Sequence, residues 1–202
     1  MIKLDQITKS FEGKVLFLRL CLEIEQGEFV IFSGDSGSGK TTLLNILGGL
    51  ETVDAGKVYI NTMDISKKKN RSKLFSTEIG FLFQNFVLIE NKTVRQNLTL
   101  IKKRNRSNIT VEKALEQVGL LSKIDTKVYK LSGGEQQRVA LARLLVKKCT
   151  IILADEPTGS LDKRNGDRVL EILFEMQRLG KTIILVTHDE SIKQKVQRIV
   201  EL

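Results

Sequence analysis

The stretch GDSGSGKT, Gly34–Thr41, constrains this chain more than any other. It follows the apolar run Glu28–Phe32 and leads into Thr42–Leu47, whose residues favour a helix. Gly34, Gly37 and Gly39 lack a Cβ, so the backbone between them can turn tightly and point its N–H groups inward as a nest for an anion. Asp35, Ser36 and Ser38 fill that turn, and the helix that follows adds its positive end. Lys40 is placed to reach the β- and γ-phosphates of a nucleotide, the Thr41 hydroxyl to hold Mg²⁺, and Thr42 to complete the cradle. A plain Gly/Ser turn between strand and helix accounts for the glycines but leaves the Lys-Thr pair at this offset unexplained.

At 202 residues the chain supports one hydrophobic core, or one core carrying a smaller lobe. Its longest apolar runs, such as Thr182–Val186, are strand-sized and far short of the ~18 residues of a membrane span. The N-terminal stretch MIKLDQITKS is polar where a signal peptide needs its apolar centre. These features predict a cytoplasmic protein whose membrane role comes through a partner. Cys21 and Cys149 are far apart without metal-ligand spacing, which favours buried small apolar residues in a reducing compartment.

The net charge of +9 is concentrated. Between Asp64 and Arg106 there are eleven Lys and Arg against three acids. A solvated loop or helix face explains such a run, and so does an anionic partner: a membrane leaflet beside a membrane subunit, or nucleic acid. The nearby Phe75, Phe81, Phe83 and Phe86 lie in or beside an apolar strand-like run, where packing explains them, and this argues against nucleic acid.

Ile2–Thr8 and Val15–Glu25 read as strands, Gln26-Gly27 as the turn into Glu28–Phe32, Gly48-Gly49 as the end of the first helix, and Lys57–Ile60 as a short strand. Lys67–Lys73 reads as a basic linker and Glu78–Phe83 as a strand ending at Gln84. The pattern then turns helical, with Val94–Arg104 one candidate. Val111, Ala114, Leu115 and Val118 form one face of another helix, closed by Gly119. From Leu131 strands and helices alternate: helix Glu135–Lys147, strand Thr150–Ala154, helix Arg164–Leu179, strand Thr182–Thr187, helix Glu190–Val196 and strand Arg198–Leu202. Short all-apolar strands between helices predict an α/β fold around a mostly parallel sheet buried on both faces. The expectation is one domain over 1–202, with a β-rich and phosphate-loop part at 1–84, a helical insertion at 85–130 and a returning α/β part at 131–202.

Three further constellations bear on chemistry. The apolar strand Thr150–Ala154 ends in Asp155-Glu156, at the sheet edge where open α/β sheets bind ligands. Asp155 is placed to hold Mg²⁺ through water and Glu156 to activate the water that attacks the γ-phosphate. Ser132 in LSGGE, residues 131–135, is a good helix N-cap, and with Gly133 and Gly134 it also suits a second phosphate contact. His188, the only histidine, ends a strand at the same edge; it is either structural or in contact with the γ-phosphate or attacking water. Gln84 either ligates Mg²⁺ or water, or caps the entry to the helical part.

In this order the motifs resemble those of the ATP-binding-cassette (ABC) ATPases from end to end of the chain. Gly34–Thr41 is similar to their Walker A and Gln84 to the Q-loop glutamine. LSGGE running into Gln136-Gln137-Arg138 is similar to the signature, and Ile151–Asp155 to Walker B. Glu156 stands at the catalytic glutamate position, Ser160-Leu161-Asp162 at the D-loop and His188 at the switch histidine. Phe11 falls where the family has an aromatic that stacks on adenine; tyrosine is commoner there, and phenylalanine keeps the π-face without the hydroxyl.

The resemblance implies an ABC-type P-loop NTPase fold with an N-terminal antiparallel β subdomain and an inserted helical subdomain. Its cofactors would be ATP and Mg²⁺. Two copies would close head to tail, so that Ser132, Gly133 and Gly134 of one copy cover ATP held by the other, and hydrolysis would reopen the pair. A membrane permease would dock near Gln84–Asn97, with the basic patch of residues 64–106 facing it or lipid headgroups, which puts the chain on the cytoplasmic face of a membrane. Glu78–Asn97 and LSGGEQQRVALAR look most like the macrolide-exporter and lipoprotein-release branch and its bacteriocin-export relatives, and imply export of a peptide, antimicrobial or lipophilic substrate. A mechanotransmitter of the cell-division type is the alternative. The turn Val53–Gly56 lacks a proline often found there, and with Leu202 as the last residue no C-terminal regulatory domain is expected.

Overall fold

The computed structural model describes residues 1–159 and 161–202; Ser160, the first residue of the expected D-loop, lies outside the described residues. Ile2–Phe11 (β1) and Lys14–Ile24 (β2) form an antiparallel hairpin that turns at Gly13. The chain then crosses into a second sheet as Phe29–Ser33 (β3), passes through the phosphate loop and enters the helix Lys40–Leu47 (α1). It returns to the first sheet as Ala55–Ile60 (β4) and Met63–Asp64 (β5), and continues as the helix Lys68–Thr77 (α2) and the strand Ile79–Leu82 (β6).

Two short helices follow, Val94–Thr99 (α3) and Val111–Gln117 (α4), and then the longer Gly133–Val146 (α5). Ile151–Asp155 (β7), Lys163–Arg178 (α6), Thr182–Val186 (β8), Glu190–Lys193 (α7) and Arg198–Glu201 (β9) complete the chain. The first sheet is antiparallel in the order β2-β1-β4-β5, and the second is parallel in the order β6-β7-β8-β3-β9. The expected fold class is therefore the observed one.

The inner parallel strands are mostly apolar because each faces two cores, whereas the edge strand β9, Arg198–Glu201, buries no residue fully. Phe29 and Ile31 of β3, Ile152 and Ala154 of β7, and Ile183 and Leu185 of β8 pack with the apolar faces of α3, α4, α5 and α6. The alternate residues Val30, Phe32, Ile151, Leu153, Ile184 and Val186 pack with α1 and the antiparallel sheet. All five strands run in one direction, so their C-terminal ends, and the loops after β3, β6, β7 and β8, share one edge.

Cys149 is buried as expected, but Cys21 is exposed, because it lies on the open side of β2. Element bounds differ from expectation in three further places. Lys67–Lys73, expected as a linker, is largely helix: α2 buries only Leu74, with Phe75 partly covered, and so lacks the apolar stripe that would have marked it. The helix expected over Val94–Arg104 stops at Thr99, and the 3₁₀ turn Lys103–Asn105 follows. The helix expected over Glu190–Val196 is shorter, Glu190–Lys193.

Candidate functional site

The loop between β3 and α1 is shaped by close backbone approaches. Gly34 has φ 139°, and a Cβ there would collide with the carbonyl oxygen of Leu202; Gly39 has φ 101°, and a Cβ there would stand 2.7 Å from the Phe17 ring. Lys40, only 6% exposed, folds back over the loop, its Nζ donating to the carbonyl oxygens of Gly34 at 2.8 Å and Asp35 at 2.6 Å. Held by two neutral carbonyls, the ammonium makes no salt bridge among the described residues, and it stands ready for an anion.

Across the sheet edge, the Thr41 hydroxyl donates to Asp155 Oδ1 at 3.3 Å, joining α1 to the end of β7. Burial pushes the Asp155 carboxyl up from its ordinary pKa, against the opposing effects of the Thr41 hydrogen bond and the Lys40 charge. Burial likewise raises Glu156, opposed by His188 and reinforced by Asp155. Glu156 has φ 45°, in the left-handed region that non-glycine residues seldom adopt. Its Oε1 is buried and accepts no hydrogen bond among the described residues; His188 Nε2 lies 3.4 Å away, in electrostatic contact but not aligned for a hydrogen bond.

One cleft of about 270 Å³ gathers Ser36, Gly37, Gly39, Lys40, Thr41 and Thr42 of the loop and α1, Gln84 after β6, Asp155 and Glu156 after β7, and His188 after β8. Four separate loops thus deliver the predicted side chains to one place. Gly34, Asp35 and Ser38 lie in the same loop without lining the cleft. Leu16 of β2 and Val186 of β8 line it too, and sequence reasoning passed over both. Leu16 lies in the other sheet, where no local pattern marks it, whereas Val186 could have been inferred from its place two residues before His188.

The remaining predicted residues stand outside this cleft. Phe11 ends β1, 43% exposed, with Lys9 Nζ 4.5 Å from its ring centroid. Ser132, Gly133 and Gly134 open α5. The Ser132 hydroxyl accepts from the Glu135 N–H at 3.2 Å, and the Glu135 carboxylate accepts from the Ser132 N–H at 2.9 Å. The capping function weighed for Ser132 is therefore filled within the chain, while Ser132 and Gly133 remain exposed.

The donor set suits a hard divalent cation: a carboxylate, a hydroxyl and an amide oxygen, from Asp155, Thr41 and Gln84, face one polar cleft. Among the described residues no group of three or more His, Cys, Asp and Glu forms a metal cluster. A donor set of one carboxylate with hydroxyl and amide oxygens suits Mg²⁺, which takes one or two carboxylates and completes its shell with water and phosphate.

A second cleft of about 420 Å³ lies between α2, the loop after α3, and α5. Its floor is a stack of Phe75, Phe81 and Phe83, with centroids 5.2 Å and 4.8 Å apart. Lys102, Arg104, Arg143 and Lys147 line it, and no acidic residue does. Arg143 and Lys147 are held by backbone carbonyls of Phe86, Val87, Phe75 and Ile79, and burial pulls both pKa values down. Asn97, fully buried, bonds to both backbone groups of Ile89 and so fixes the loop leading into α3.

Comparison with known proteins places the chain among similar sequences. The ABC transporter family matches residues 17–159. An uncharacterized ABC transporter ATP-binding protein of Bacillus subtilis, YvrO, is 41% identical over 212 residues, covering 99% of this chain and 92% of its own. The macrolide export ATP-binding/permease protein MacB of Campylobacter jejuni is 40% identical over 209 residues, covering all of this chain but 33% of its own, so the chain spans about a third of the MacB relatives it matches. Among solved structures, the dimeric post-hydrolysis state of the ATP-binding cassette MJ0796 with ADP and Pi superposes with a TM-score of 0.88 at 35% identity, covering 100% of this chain and 94% of that one.

Proposed function

The chain belongs to the ABC transporter family, and from that premise we propose that it binds and hydrolyses ATP, with Mg²⁺, as the ATP-binding subunit of a membrane transporter. The observation that carries this reading is the convergence of Lys40, Thr41, Gln84, Asp155, Glu156 and His188 on one cleft. Bound ATP would supply the γ-phosphoryl group, which passes to water as ADP leaves, and Mg²⁺ would neutralise the charge on its oxygens. Lys40 exchanges the two loop carbonyls for phosphate oxygens, while Thr41 and Asp155, with Gln84, hold the cation. Glu156, its pKa raised by burial and its Oε1 free of hydrogen bonds among the described residues, takes a proton from the attacking water, and His188 beside it orients that water. Phe11 stacks on the adenine.

The Ser132–Gly134 segment, exposed at Ser132 and Gly133, acts across a dimer of two copies, each covering the nucleotide of the other. MJ0796, similar over the whole of this chain, is dimeric in its post-hydrolysis state with ADP and Pi, which supports the reading. The partner in the membrane is a permease subunit, docked on the segment Gln84–Asn97 and the aromatic-floored cleft beside it. Four cations without an acid favour a docking segment that offers apolar side chains and a carboxylate. No helix among the described residues is long and apolar enough to cross a membrane. In this reading the chain sits at the cytoplasmic face against the permease, with the basic patch of residues 64–106 toward it or the headgroups. Export of a peptide, antimicrobial or lipophilic compound is the transport reading, supported by similarity to a macrolide exporter.

The test is the sedimentation mass of the Glu156→Gln variant with and without Mg-ATP. The expected result is loss of hydrolysis with ATP still bound, and a shift from monomer to dimer on adding ATP. Turnover at the parent rate would remove Glu156 as the base; a monomer with ATP bound would remove the shared-site arrangement for the chain on its own.

A further inference from the structure

The helix that opens at Ser132 is joined to the turn that carries Glu156. Gln137, about one turn into α5, is 1% exposed, and its Nε2 donates to the carbonyl oxygen of Pro157 at 2.8 Å. Pro157 is the only proline in the chain and has no N–H, so its carbonyl is the one backbone hydrogen-bonding group it offers. The residue before it, Glu156, is held at φ 45°, a conformation that is unfavourable in a non-glycine residue and persists only where the surroundings impose it.

Two restraints on that conformation come from backbone groups, Glu156 N–H to Val186 O at 3.0 Å and Gly159 N–H to Glu156 O at 3.2 Å. The Gln137 amide adds a restraint from a side chain on another element. Contacts around it run the same way. Arg138 donates to Asn165, whose amide in turn donates to Asp162, the N-cap of α6. A Cβ on Gly134 would meet Leu161 at 3.4 Å. The first two turns of α5 therefore rest on the segment that follows Glu156.

We propose that Gln137 is a positioning residue for hydrolysis: by holding the Pro157 carbonyl it keeps the Glu156 turn in its left-handed conformation, with the carboxylate beside His188. This rests on reading Glu156 as the base. It has a consequence for the dimer. The same rigid helix presents Ser132–Gly134 to the nucleotide of the other copy, so each base is fixed to the element that senses the opposite site.

The experiment uses the full chain with two near-isosteric changes, Gln137→Met and Gln137→Glu, measuring steady-state hydrolysis and, separately, Mg-ATP affinity by calorimetry. Gln137→Met removes the donor. It should lower kcat about tenfold, the worth of one buried hydrogen bond in the transition state, with Mg-ATP affinity unchanged. Gln137→Glu sets a carboxylate against the carbonyl and should be slower still at about pH 8. Its rate relative to the parent should recover as the pH falls to about 5.5, where the introduced carboxyl gains a proton and can donate. A residue that only packs the helix would give no such pH-dependent ratio.

Parent-like kcat in Gln137→Met, a loss confined to affinity, or a flat Gln137→Glu ratio would each overturn the proposal. Should Gln137→Met melt well below the parent, the pH profile of Gln137→Glu decides alone. Glu156→Gln measured alongside separates the two readings. If it turns over like the parent, the base assignment fails and the proposal with it; if it is inactive while Gln137→Met is not slowed, the proposal alone fails.

Discussion

Asp155 and Glu156 carry pKa values raised mainly by burial, and the direction fixes their effect on stability. The folded chain keeps protons on them at a pH where the unfolded chain has released them. Their charged forms therefore cost stability above the raised pKa, and that cost fades as the pH falls to the ordinary carboxylate range. Asp155→Asn removes one of these charges while keeping an acceptor for the Thr41 hydroxyl. In the nucleotide-free protein it should raise Tm by about 1–3 °C near neutral pH, with the gain vanishing by about pH 4. The extra Tm conferred by Mg-ATP should shrink in the same variant, because a cation ligand is gone. Differential scanning fluorimetry with and without Mg-ATP checks both, and a lower apo Tm would contradict the electrostatic reading. At this scale the sequence was informative wherever spacing is local. Lys40 and Thr41 sit one and two residues after Gly39, so their place in the cleft follows from the turn itself.

Elements are held together here by close approach as much as by burial. Gly48, at the C-terminal end of α1, faces Phe81 of β6, and a Cβ at this position would press into the Phe81 ring with Leu153 3.3 Å away. Its φ of −74° suits any residue, so the requirement for glycine is steric and not conformational. Gly48→Ala should destabilise by about 1–3 kcal/mol through overpacking, read as a lower midpoint in urea unfolding with an unchanged slope. Parent-like stability would mean that the Phe75–Phe81–Phe83 stack can shift to make room. The glycine pair was legible as a helix stop; its second function was not, because Phe81 is more than thirty residues away. Helix α2 was missed for a related reason: with Leu74 alone fully buried, it owes its place to the C-terminal contact with β6 rather than to a periodic pattern of its own.

For the whole molecule, the proposed function uses two clefts that meet in sequence at Phe83-Gln84: the one at the edge of the parallel sheet, and the cationic aromatic one between α2 and α5. Lys102 and Arg104 stand exposed at the second and touch none of the nucleotide residues, so charge can be reversed there without disturbing the first. A Lys102→Glu/Arg104→Glu double variant should hydrolyse ATP at the parent rate, within about twofold, as an isolated chain. It should lose its membrane partner on affinity purification from cells, since like charge now meets the proposed carboxylate. Retained co-purification would move the docking surface elsewhere. The division into parts at 1–84, 85–130 and 131–202 stands in this light as a proposal about how the two clefts are joined, with α3 and α4 carried between β6 and α5.

By itself the sequence determined the phosphate loop, the acids that end β7 and the α/β alternation of the second half, since each rests on residues within a turn or a strand of one another, and it determined the family through the order of such short motifs along the chain. Only the tertiary structure decided what meets at a distance. It seated Leu16 of the antiparallel sheet against the phosphate loop, brought Lys102 and Arg143 into one cleft from two elements, and joined Gln137 to Pro157 across the α5–β7 boundary. Those contacts depend on strand order and helix placement, and these are set by which apolar faces find one another in the core, a property of the whole chain and of no single stretch.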